Sequence, residues 1–165
     1  MAEVDHRRKL KRLEEQERKL VFADFSHADA WRLGTILVGI AAERSLPVAI
    51  RITIGEQVAF HVGMPGSSAD NDGWLVRKER TVRRFGVSTF LLKIRGEIAG
   101  RDYAELDPRD FVVAGGAVPI HTASGALLGT VAVSGLAQAD DHALVISAMQ
   151  QFLARPATDA GGGAG

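Results

Sequence analysis

The sequence predicts an α+β fold in which helices pack on an antiparallel sheet. Residues 48–62 and 117–134 each read as a β-hairpin, and helical apolar periodicity lies around them without regular strand–helix alternation. At 165 residues, 46% of them hydrophobic, the chain is long enough for one sizeable core and too short for two ordinary domains.

Residues 3–19 carry Leu10 and Leu13 at near-helical spacing among dense charge, with Leu20 just beyond, which predicts a helix with a narrow apolar stripe. A short strand over 21–25 follows. Ser26 stands three residues before Asp29 as in a capping box, and Leu33, Ile36, Leu37, Ile40 and Ala41 then share one face to about Glu43. Residues 48–54 and 57–62 are β-rich and flank Gly55-Glu56, a pair suited to a type II′ turn.

Residues 64–70 are loop by their Pro, Gly and Ser content. A helix runs over 71–85 and stops at Gly86, with a further helical piece over 88–94. Asp107-Pro108 is a cap and first-turn signal for a short helix. Residues 117–121 and 127–134 form the second hairpin about a turn at 122–125. The last helix starts near Asp140 and presents Val145, Ala148, Met149, Phe152 and Leu153 before Pro156. The division is a charged helix over 1–20, a single α+β domain over 21–155 and a disordered Gly-rich tail over 156–165.

Composition excludes several chemistries. Without cysteine there is no disulfide, thiolate metal site, iron–sulfur cluster or cysteine nucleophile. Basic and acidic residues balance at 20 each, so no global field draws nucleic acid or an acidic membrane. The N-terminus lacks the apolar core of a signal peptide, and no apolar run approaches the roughly 20 residues of a membrane span; the chain reads as cytoplasmic.

Two segments resemble a known family. GGAVPIHTASGALLGTVAVSGLAQADDH, residues 115–142, is similar to the haem-degrading-domain family (HbpS/GlcG-like) in its Gly-Gly, Pro-Ile strand, Gly turn, Val-Ser-Gly strand end and acidic helix start. MPGSSADNDGWLVRKERTV, residues 64–82, resembles a narrower branch labelled only as an uncharacterised protein family. The resemblance spans roughly residues 21–153. It implies a profilin-like three-layer α/β/α fold with a five-stranded antiparallel sheet, assembly into homo-oligomers, and an association with haem.

Asn71, Trp74 and Lys78 fall at i, i+3 and i+7 on the predicted helix, with Arg77 at the edge of that face. An aromatic plane beside an amide and two cations suits a small planar or anionic ligand; the plainer reading is that Asn71 or Asp70 caps the helix, Trp74 packs in the core and Arg77 and Lys78 form surface or interface salt bridges. His61, His121 and His142 are the histidines that could approach haem iron, although no spacing marks a metal site and His61 and His121 converge only if their strands are neighbours. Ser134 with Asp140, Asp141 and His142 lacks the glycine-flanked elbow of a hydrolase nucleophile. The run Arg77, Lys78, Arg80, Arg83, Arg84 reads as a solvated face or an acidic-partner surface, not a nucleic-acid stripe. Two functions stand open: a ligand-binding or haem-related oligomer, and a non-catalytic adaptor that binds protein partners.

Overall fold

The computed structural model describes residues 1–155; the tail expected to be disordered lies outside them. The elements are α1 (Ala2–Lys19), α2 (His27–Glu43), β1 (Ala49–Ile54), β2 (Gln57–Gly63), α3 (Ala69–Phe85), α4 (Thr89–Ala99), β3 (Ala117–His121), β4 (Leu127–Ser134) and α5 (Gln138–Ala154). The strands form one antiparallel sheet in the order β2-β1-β4-β3.

The sheet has four strands where five were expected. Residues 21–25 contribute only one bridge, Val21 to His121, with the Phe22 amide donating to the His121 carbonyl at 2.9 Å. Phe22 and Phe25 are both buried and meet edge to face at 5.6 Å, each also against Phe152. A strand would send residues three apart to opposite faces, so burying both rings together breaks the extended repeat.

Alternation along the strands sorts the two faces. Ile50, Ile52, Val118, Ile120, Val131 and Val133 form a core with Leu33 and Leu37 of α2 and Val145 and Met149 of α5. On the other face Ala49, Ala117 and Ala132 meet Leu75 and Val82 of α3. Three alanines there let α3 lie close to the sheet, which brings its long polar side chains within reach of β4.

The first hairpin turns at Gly55, whose φ is +57°, while Glu56 keeps a negative φ, as a type II′ turn demands. The Ser26–Asp29 capping box forms. At α3 the cap is Ser68: its amide donates to Asn71 Oδ1 at 2.9 Å, so Asn71 is the third helical residue and not the cap. Gly86 closes α3 at φ +73°. Asp107-Pro108 starts a single turn and no helix, because the Asp107 carboxylate binds Arg109 and the chain is then drawn onto Thr81 through Val112.

α1 packs on α4 through Leu13, which meets Phe90, Leu91 and Ile94. Glu17 Oε1 accepts the buried Ser88 amide at 2.6 Å, and Glu14 pairs with Arg95 at 2.9 Å. Among the described residues no helix is long and apolar enough to cross a membrane, and no cluster of three or more His, Cys, Asp or Glu could hold a metal ion.

Candidate functional site: the cleft between α3 and the start of α5

Asn71, Trp74 and Lys78 open together on one cleft of about 360 Å³, closed on the far side by Ser134, Gly135, Leu136 and Asp141. The spacing read from the sequence therefore does place these three on one face. Their immediate partners come from β4 and the first turn of α5, which are remote in sequence.

At the floor of the cleft Lys78 is 2% exposed. Its Nζ donates to the Val133 carbonyl at 3.0 Å and to Asp141 Oδ2 at 3.1 Å. A Cβ on Gly116, whose φ is +134°, would stand 2.6 Å from that Nζ, so only glycine leaves room for the ammonium. Asp141 Oδ1 accepts the Leu136 amide at 2.9 Å, which fixes the carboxylate. Burial pushes the Lys78 ammonium below its usual range and Asp141 above its own, each opposed by the other's charge.

Trp74 is half-buried, not enclosed in the core as expected, because one face of its ring is covered by Arg77 at 4.5 Å instead of by apolar side chains. Arg77 does not line the cleft; its guanidinium donates to the Gly73 and Pro108 carbonyls at 3.2 and 3.5 Å. Lys78, read as a surface cation, is a buried one.

The three histidines do not join this site. His61 sits on β2 and meets Asp72 at 2.9 Å. His121 lies at the end of β3 away from Ala117, and since β2 and β3 are the opposite edges of the sheet the two cannot converge. His142 follows Asp141 but turns the other way, into a groove of about 390 Å³ with Lys9, Leu13 and Phe90. It is 5% exposed, stacks near Phe90 at 5.0 Å, and neither ring nitrogen has a hydrogen-bond partner. Burial, aided by Lys9, lowers its pKa to about 4, so the ring is neutral at neutral pH. With His142 turned away, Ser134 and Asp141 form no triad.

The basic run is mostly spent within the molecule. Glu79, 1% exposed, lies 3.0 Å from Arg51 Nε and 3.8 Å from Arg83, at ion-pair distance but poorly aligned for hydrogen bonds. Burial raises its pKa against the pull of those arginines. Arg83 also reaches Thr53 Oγ1, and Arg80 pairs with Asp110. Sequence reasoning missed Asp141 as the partner of Lys78; its one signal, an acidic residue in a helix's first turn, reads equally as capping.

The family model described as haem degrading protein HbpS-like matches residues 25–150. The chain belongs to this HbpS-like family. The UPF0303 protein of Streptomyces avermitilis is 46% identical over 147 residues, covering 87% of this chain and 90% of that one. The crystal structure of Ybr137w protein superposes with a TM-score of 0.80 at 31% identity, covering 89% of this chain and 90% of that one. A PduOC:haem complex shares the fold at TM-score 0.66 and 20% identity, covering 78% and 94%. α1 precedes the stretch that the HbpS-like model matches.

Haem held by an axial histidine does not fit the cleft. His61, His121 and His142 all lie outside its lining, and both His142 nitrogens are enclosed.

Proposed function

We propose that this HbpS-like protein is a cytoplasmic homo-oligomer that binds a small planar or anionic organic ligand in the α3–α5 cleft. The observation that carries the reading is the convergence of Asn71, Trp74 and Lys78 on one cleft with a buried ion pair at its floor. Asn71 Oδ1 is engaged by Ser68, so its amide nitrogen is the group left for a ligand. Trp74 offers a ring edge for stacking, and Lys78 has a third N–H beyond those given to Val133 and Asp141. Haem is a ligand to be tested because of the family and the PduOC complex.

A Trp31→Phe background leaves Trp74 as sole tryptophan reporter. Haemin and metal-free protoporphyrin should both quench it saturably and with similar affinity, since no histidine reaches the iron. A histidine-ligated haem spectrum would overturn this placement, and absence of any saturable quenching would leave the adaptor reading ahead. Light scattering on the wild-type protein, with Trp31 in place, reads the assembly. The oligomer is supported by Trp31, 66% exposed on α2 beside Phe60 of β2.

A further inference from the structure

Lys78 is unusual among the chain's lysines in being both buried and placed on a cleft. Its Nζ is oriented by two acceptors, Val133 O and Asp141 Oδ2, while Asp141 is itself anchored by the Leu136 amide. Trp74 and Leu136 give the cleft apolar walls, and the Asn71 amide and Ser134 hydroxyl lie on the same lining. An amine with its own carboxylate 3.1 Å away, opening on a cavity with room for a small molecule, has the parts needed for covalent carbonyl chemistry.

We propose that Lys78 captures small aldehydes as an imine, with Asp141 carrying the protons. The inference rests on the cleft being the ligand site and is independent of haem. Asp141 Oδ2 takes a proton from the Lys78 ammonium. The freed lone pair attacks the carbonyl carbon; the C–N bond forms, the carbonyl π pair moves to oxygen, and an N–H proton passes to that oxygen to give a neutral carbinolamine. Asp141 then returns its proton to the hydroxyl, the C–O bond breaks, water leaves, and the nitrogen lone pair closes the C=N bond. The product is a protonated imine beside a carboxylate, so the ion pair present at the start is restored. Burial, which favours the neutral amine and the neutral acid, eases the first transfer.

A purely structural ion pair makes the opposite forecast for the same lysine, which gives a sharp test. Wild-type protein is exposed briefly to propanal with sodium cyanoborohydride, which reduces the imine to a stable propyl amine. Occupancy is then mapped by peptide mass spectrometry at Lys9, Lys11, Lys19, Lys78 and Lys93. Lys78 should label about tenfold faster than the exposed Lys11 and Lys19, because burial makes its amine less basic and its two acceptors hold it in place on the cleft. Asp141→Asn should slow Lys78 selectively and leave Lys11 unchanged. Labelling of Lys78 no faster than Lys11 in the wild type overturns the proposal whether or not the variant folds. If Trp74 still reports saturable porphyrin binding in that case, the cleft reading survives and only the covalent step is lost.

Discussion

Replacing Lys78 by Met removes an ammonium from a site where its partner carboxylate is as buried as it is. Asp141 would keep its backbone partners, the Leu136 amide foremost, but lose its cation, and the Val133 carbonyl would lose its side-chain donor. Breaking one side of a buried pair costs about 3–5 kcal/mol. Asp141→Asn should cost somewhat less, because the amide still accepts from Leu136, yet it leaves the ammonium uncompensated. The double variant Lys78→Met with Asp141→Asn has no buried charge at this site, and its cost should fall at least about 2 kcal/mol short of the sum of the singles. Urea unfolding followed by circular dichroism gives all four stabilities, and an unchanged denaturant slope would show that the unfolded state is the same. The pH dependence adds a second readout. Without Lys78 the Asp141 pKa rises further above its unfolded value, so its contribution is complete below the ordinary carboxylate range and lost as pH rises. The deficit of Lys78→Met should therefore widen as pH rises above the ordinary carboxylate range. Additive single costs, or a deficit that narrows with pH, would refute the reasoning.

Three further outcomes follow from the structure. The His142 pKa is about 4 against an ordinary 6.5, so its stabilising contribution is complete above pH 6.5 and lost as pH falls towards 4; the gap is worth about 3 kcal/mol. His142→Leu should recover about that much relative to wild type between pH 7 and pH 4 in urea midpoints, a difference that cancels the opposing effect of Glu17 and Glu79, whose raised pKa values favour the fold in acid. Gly129→Ala would set a Cβ 1.9 Å from the Thr53 carbonyl and should cost about 3 kcal/mol, so an unchanged melting temperature would contradict the β1–β4 register. Glu17→Ala orphans the buried Ser88 amide and should cost about 1–3 kcal/mol by thermal unfolding; a neutral result would mean α1 is not held there.

Local signals were legible in the sequence and long-range partners were not. The Ser26–Asp29 cap, the Gly55 turn and the Gly86 stop depend on residues within a few positions of each other, and each stands where its pattern put it. Asn71, Trp74 and Lys78 share a face because helical periodicity requires it. What that face meets depends on Gly116, Val133 and Asp141, which chain topology alone brings there, so a buried lysine looked like a surface one. The fifth strand failed for a similar reason: the short strand read at residues 21–25 gives way to the packing of Phe22 and Phe25 on Phe152 of α5, a partner more than a hundred residues away.

The bridge from Val21 to His121 makes the two margins of the sheet unequal. The outer side of β3 is partly occupied by the chain's own earlier segment, while the outer side of β2 has no strand beside it among the described residues. Backbone amides and carbonyls along 57–63 are thus the sheet's one long stretch available to another strand. If two copies joined there, each would use up its single open margin and present the bridged one outwards. A partly covered margin disfavours further addition, whereas a sheet fully open on both sides could add copies without limit. In such a pair the short segment that falls short of being a strand would cover the His121 end of the margin left outwards.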